Sequence, residues 1–230
     1  MRKRRFVLVA AALLAAAPAA AQAPRCPSGT LYLTIDTGWG REAEQIAGVL
    51  RRRGVRATLF VANEPTFRGE RSLDPAWAGF WRERAAEGHV FASHTDRHWY
   101  FRGDPAPGRV QYVSRQREGS TELDQAGLCA ELARPIDRLR QAAPDATVIP
   151  LWRAPGGIVT PNAVRMAAAC GLRHQGWTAN GFLGDELDSR THPNVALRDR
   201  ALRNVRDGEV LVMHWGCLLY TSDAADDTPC

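Results

Sequence analysis

From Leu31 to His214 the chain alternates between short apolar runs rich in β-branched and aromatic residues and longer stretches whose apolar positions recur at helical spacing. The runs that read as strands cover 31–36, 57–62, 90–93, 147–152, 172–178 and 210–214. Helical patterns fill the gaps at 41–53, 75–87, 121–143, 161–169 and 195–206. Gly54, Gly88, Gly171 and Gly208 follow four of these helices, where a residue that tolerates the left-handed region ends the last turn. Segments 63–74 and 102–120 carry no period, and the second holds a Pro105-Ala-Pro107 stretch, so both are expected as loops. Strands alternating with helices imply an α/β fold on a largely parallel sheet. No internal repeat or second domain breaks the pattern.

Four of the strand-like runs close on a polar residue: Asp36, His94, Arg153 and His214. In a β/α barrel the C-terminal strand ends converge on one face, so these four are expected to meet around a common mouth. Any one of them alone reads more naturally as a satisfied structural group. The helical trio Trp77, Phe80 and Trp81 has the spacing of a core-facing stripe, and His89, His174 and His192 fall outside every pattern and are expected to be structural or exposed.

Taken in order, Thr34-Ile-Asp-Thr-Gly38, His94-Thr-Asp-Arg-His98, Arg153-Ala-Pro-Gly-Gly157, Trp177 with the residues after it, and Leu211-Val-Met-His214 resemble the five motifs of the polysaccharide deacetylases, the NodB-homology family also grouped as carbohydrate esterase family 4. The resemblance runs from about Leu31 to His214. It implies a distorted (β/α) barrel, here expected to lack its C-terminal end, and removal of N-acetyl groups from an amino-sugar polymer with a divalent metal as cofactor. Two imidazoles suit zinc, with cobalt as an alternative.

The resemblance also implies a division of roles. His94 and His98 correspond to metal ligands, Asp36 to the catalytic base, Arg153 to the residue that pairs with the base, and His214 to the general acid. Thr95 fits the small hydroxyl residue between the two ligands. Gly156 stands where the family usually carries an aromatic residue, and its N–H corresponds to an oxyanion donor. Trp177, Trp99 and Tyr100 are expected as walls of the sugar site.

Two positions depart from the family pattern. Thr37 stands at the third metal ligand, where a neutral hydroxyl withholds one negative charge and should weaken ion binding. Asn180 stands where an aspartate often pairs with the acid histidine, so His214 is expected to be harder to protonate unless Asp185 or Asp188 substitutes. Some relatives acting on N-acetylmuramic acid carry a neutral residue at the Thr37 position, so activity is compatible with it. A binding protein that has lost turnover is the competing reading.

Composition narrows the field further. The basic start Met1-Arg-Lys-Arg-Arg5, an apolar run and small residues up to Ala21 have the layout of a cleaved export signal over 1–21, which places the mature protein in the periplasm or outside the cell, with no integral membrane domain. A catalytic domain is expected over 26–217, and 218–230 reads as a non-native tail. The formal charge of +5 comes without a dense basic block, which gives nucleic-acid binding no support. Lys3 is the only lysine, so Schiff-base chemistry and lysine-bearing phosphate loops are excluded from the mature chain. The partner expected is therefore an N-acetylated glycan, and nothing in the composition bears on oligomeric state. Among Cys26, Cys129, Cys170 and Cys217 an oxidising compartment permits disulfides. A Cys26–Cys217 bridge is disfavoured because the two would lie at opposite ends of the sheet.

Overall fold

The computed structural model describes residues 29–116 and 118–216. The expected leader 1–21, the tail 218–230, Cys26 and Cys217 lie outside the described residues. In chain order the elements are β1 (Tyr32–Asp36), α1 (Ala43–Arg53), β2 (Thr58–Val61), α2 (Ala78–Ala86), β3 (Val90–Ser93), β4 (Tyr100–Gly103), β5 (Val110–Val113), β6 (Ser120–Leu123), α3 (Gln125–Ala142), β7 (Thr147–Trp152), α4 (Pro161–Ala169), β8 (Arg173–His174), α5 (Asn194–Asn204) and β9 (Val210–His214). Single 3-10 turns occupy Pro75–Trp77 and Pro155–Gly157.

Six of the strands form one sheet in the order β8-β7-β3-β2-β1-β9, every pair parallel. Parallel strands covered on both faces read as unbroken apolar runs, which is why these elements stand out in the sequence. Beyond β8 the chain leaves one edge for the other. Gln175 N–H still donates to Trp152 O, whereas Thr178 N–H reaches Val210 O and Leu183 N–H reaches Val212 O beside β9. That crossing curls the sheet into the distorted half-barrel the sequence implied, and it limits the strand expected at 172–178 to Arg173–His174.

Two helices, α3 and α4, start where a side chain supplies a cap. Asp124 accepts from Gly127 N–H at the start of α3, and Thr160 accepts from Ala163 N–H with Pro161 in the first turn of α4. Cys129 on α3 and Cys170 at the end of α4 form a disulfide, with Cα atoms 5.7 Å apart. The core falls into two clusters, one around Trp77, Phe80, Trp81 and Trp215 beneath α1 and α2, the other around Phe101, Tyr112, Trp152 and Leu132. The aromatic trio is thus core, as its spacing implied.

One element group is not legible in the sequence pattern. Residues expected as a loop over 102–120 carry parts of β4 and β6 and all of β5, a three-stranded antiparallel sheet, and α3 begins at Gln125 rather than at Thr121. The strands are four residues each and separated by Gly and Pro. Alternation is confined to Val110-Gln-Tyr-Val113, where Val110 and Tyr112 are buried and Gln111 is exposed. So short a period is outweighed locally by turn residues, and long-range packing decides the outcome.

Candidate active site

β1, β3, β7 and β9 bring their C-terminal ends to one face, and each delivers a polar residue there. Asp36 and His214 are register partners on adjacent strands, and Arg153 N–H donates to Ser93 O next to His94. Asp36, His94, His98 and His214 line a cavity of about 360 Å³ together with Tyr100, Trp177 and Glu186. Arg153 lies directly behind Asp36, fully buried.

Arg153 holds Asp36 through an Nη1–Oδ1 bond of 2.7 Å, while its Nε and Nη2 donate to Gln175 O and Gly176 O. Burial by itself would raise the Asp36 carboxyl, but the charges of Arg153 and His214 and the Arg153 hydrogen bond outweigh it and hold the pKa below the usual aspartate value. Oδ2 faces the other way, 3.5 Å from His94 Nε2. Arg153 O can only accept, so the 3.0 Å contact from His94 Nδ1 fixes the proton on Nδ1 and leaves an Nε2 lone pair. Burial pushes His94 down to about 3, only partly opposed by Asp36, so this ring is neutral.

The turn that carries both histidines is held in an uncommon backbone form: Thr95 has φ 68° and His98 φ 56°, both in the left-handed region. Such non-glycine conformations cost on the order of 1–3 kcal/mol each and persist where surrounding bonds fix them. Here His98 N–H donates to Thr95 Oγ1, and the Tyr112 hydroxyl lies 2.9 Å from the same oxygen. Tyr112 in turn donates to Glu131 Oε1 and accepts from Trp99 N–H. Fully buried Glu131 also takes the N–H and Nε of Arg97. Tyr112 and Glu131 match none of the sequence motifs, and their part in the site is visible only once β5 and α3 are packed beneath the turn.

His214 is gripped by two carboxylates. Asp185 Oδ2 accepts from His214 N–H at 2.7 Å and lies 3.2 Å from Nδ1, and Glu186 Oε1 lies 2.7 Å from Nε2. Burial would lower the imidazole pKa, but these two partners raise it well above the ordinary histidine value. Of the two substitutes considered for the missing carboxylate, Asp185 is the one that reaches His214. Asn180 instead donates to Glu209 at the surface, and Asp188 pairs with Arg190. Glu186 was not singled out by any motif.

Two glycines shape the walls. A Cβ at Gly156 (φ 63°) would run into the Tyr100 ring, and one at Gly157 (φ 68°) into Trp177. Tyr100 thus occupies the space over Gly156 where a side chain at that position would sit, and both rings line the cavity with Phe182 and Ile158. Arg102 and Arg115 also line it, and Arg115 Nη1 donates to the Tyr100 hydroxyl. Trp99 lies apart, lining a small adjoining cavity of about 30 Å³, with its indole N–H on Glu118 and the Arg97 guanidinium over its ring. His174 accepts from Ala154 N–H and supports the Arg153 segment, His89 accepts from Ala57 N–H, and His192 is exposed.

Thr37 does not line the cavity that holds the imidazoles. It is buried, its hydroxyl accepts from Ala62 N–H, and it lines an apolar pocket with Trp77, Trp81 and Trp215. Among the described residues no group of three or more His, Cys, Asp or Glu side chains is arranged to hold a metal ion. The donors nevertheless fit a divalent cation: the His94 and His98 rings stand 4.8 Å apart, and the neutral His94 Nε2 lone pair faces a carboxylate oxygen, two acceptors that a cation would reconcile.

A family model described as polysaccharide deacetylase matches residues 24–174. Among solved structures, a family 4 carbohydrate esterase from Streptomyces lividans in complex with acetate is 20% identical, with a TM-score of 0.57 over 81% of this chain and 79% of that one. The chitin deacetylase of the fungal pathogen Colletotrichum lindemuthianum is 16% identical, with a TM-score of 0.59 over 80% of this chain and 73% of that one. A carbohydrate esterase family 4 pseudoenzyme from Bacillus anthracis is 16% identical, with a TM-score of 0.57, and covers 86% of this chain. The chain spans 58% of that protein's length. At such identities the likeness is one of fold.

Proposed function

The chain belongs to the polysaccharide deacetylase family, and from that premise we propose that it is an exported, metal-dependent hydrolase that removes N-acetyl groups from an amino-sugar polymer such as peptidoglycan or a chitin-like glycan. One observation carries the reading: Asp36, His94, His98 and His214, far apart in sequence, line one cavity, with Arg153 locked onto the first of them.

His94 and His98 would hold the ion, which when bound polarises the acetamide carbonyl. Asp36, kept ionised by Arg153, takes a proton from the attacking water through Oδ2, the oxygen that Arg153 leaves open. Water oxygen bonds to the carbonyl carbon, and the C–N bond breaks as His214 gives a proton to the departing amine. Without that proton the intermediate would expel water again. The products are acetate and a free amino sugar. Asp185 and Glu186 keep His214 charged for its step. Tyr100 and Trp177 offer flat faces on which a sugar ring can stack, and Gly156 N–H is the oxyanion donor carried over from the family.

Acetate release from N-acetylated glucosamine and muramyl oligosaccharides, with Zn²⁺ or Co²⁺ and after chelation, tests this. Metal-dependent release that His214→Ala abolishes while the ion stays bound is the expected result. A second reading, a glycan-binding protein without turnover, is favoured by the neutral Thr37 hydroxyl being engaged by Ala62 N–H. Oligosaccharide binding with no acetate released under any metal would decide for it.

A further inference from the structure

Glu64 has no part in the reaction outlined above, yet it is a charged residue only 8% exposed beside the candidate metal site. It follows β2, and Ser72 grips its backbone from both sides: Glu64 N–H donates to Ser72 Oγ at 3.2 Å, and Ser72 N–H donates to Glu64 O at 2.9 Å. The side chain is therefore aimed by its main chain. Oε1 is buried without a hydrogen-bond partner, and Oε2 lies 3.7 Å from His98 Nδ1. A carboxylate withdrawn from water is costly unless a donor or a positive charge faces it. Arg71 and Arg97 line the same small cavity, but their Nε groups serve Asn63 O and Glu131.

We infer that Glu64 is a positioning residue for the metal site: it holds His98 with Nδ1–H turned to the carboxylate and Nε2 turned to the large cavity, and it lends the site negative charge that Thr37 withholds. The inference rests on reading His98 as a ligand. His94 supplies an independent parallel, since its Nδ1 is anchored on Arg153 O and its Nε2 faces Asp36 Oδ2 on the cavity lining. A ligand imidazole backed in this way is oriented, fixed in tautomer and made a better donor, and removing such backing costs about 10–100-fold in metal affinity.

Glu64→Gln and Glu64→Asp in the full chain test this with two readouts. Long-range ¹H–¹⁵N spectra of the metal-free protein should show His98 in the Nδ1–H tautomer, and Glu64→Gln should lose that preference. Calorimetric titration with Zn²⁺ should show about 10–100-fold weaker binding for Glu64→Gln, with Glu64→Asp in between. Should Glu64→Gln fail to fold, the shorter carboxylate of Glu64→Asp still weakens binding and shifts the His98 resonances. An unchanged tautomer, or affinities within about twofold of wild type against the expected loss, overturns the inference while leaving the proposed function standing. A wild-type chain that binds no Zn²⁺ overturns the metal half of that function and the charge-lending role with it, whereas the tautomer still judges the hold on His98.

Discussion

Replacing Asp185 by Asn removes one of the two charges on His214 and little else, because an amide oxygen can still accept the His214 N–H that Oδ2 now holds at 2.7 Å. An opposite charge this close holds an imidazole pKa up. Asp185 lies 3.2 Å from Nδ1 with its side chain 30% exposed, and Glu186 remains on Nε2. The His214 pKa should therefore fall, and the lost charge-assisted contact is worth roughly 1.5–3 kcal/mol. His214 has a higher pKa folded than unfolded. The ion pair therefore contributes fully below the unfolded value of about 6.5 and fades as pH rises through the folded value. Asp185→Asn should accordingly lose roughly 1.5–3 kcal/mol of stability at about pH 6 and almost none above the folded-state pKa, and the alkaline limb of acetate release should move down in pH. Imidazole NMR titration and urea melts at two pH values measure both. A stability loss that is the same at both, with the His214 titration unmoved, would refute the electrostatic account and reduce Asp185 to a backbone acceptor.

Three further outcomes follow from the same structure. Gly156→Ala should cost about 2–4 kcal/mol, part from a left-handed residue gaining a Cβ and part from its collision with the Tyr100 ring; in a Tyr100→Ala background only the backbone share, about 1–2 kcal/mol, should remain, and additive losses in chemical denaturation would deny the contact. Glu131→Ala should destabilise by about 3–5 kcal/mol because Arg97 and Tyr112 lose a buried partner; it should also release the turn carrying His98, read as weaker Zn²⁺ binding, and a loss of stability with intact affinity would confine Glu131 to the core. Replacing both Cys129 and Cys170 with Ser opens a loop of 41 residues in sequence separation, for which chain entropy gives about 4 kcal/mol; equal melting of the variant and the wild type under oxidising conditions would count against the bridge.

The residues that could be read from the sequence are those whose position is set by one element alone. Asp36, His94, Arg153 and His214 each end an apolar run, and a polar residue at that point is conspicuous. What lay hidden depends on contacts between elements. Asp185 and Asp188 look equivalent in the sequence, yet one reaches His214 and the other closes on Arg190 two residues away. Asn180 stood at the right place in order but turns to Glu209, so the charge it lacks is supplied from elsewhere. Tyr112 sits on a strand too short to register, and Glu131 on a helix face chosen by packing. The same logic governs the missing acid at Thr37. A site's charge belongs to the cavity rather than to a motif position. This cavity gathers Asp36 and Glu186 on its lining and Glu64 behind His98, so a neutral residue at one motif position changes where the negative charge sits before it changes whether a cation can be held.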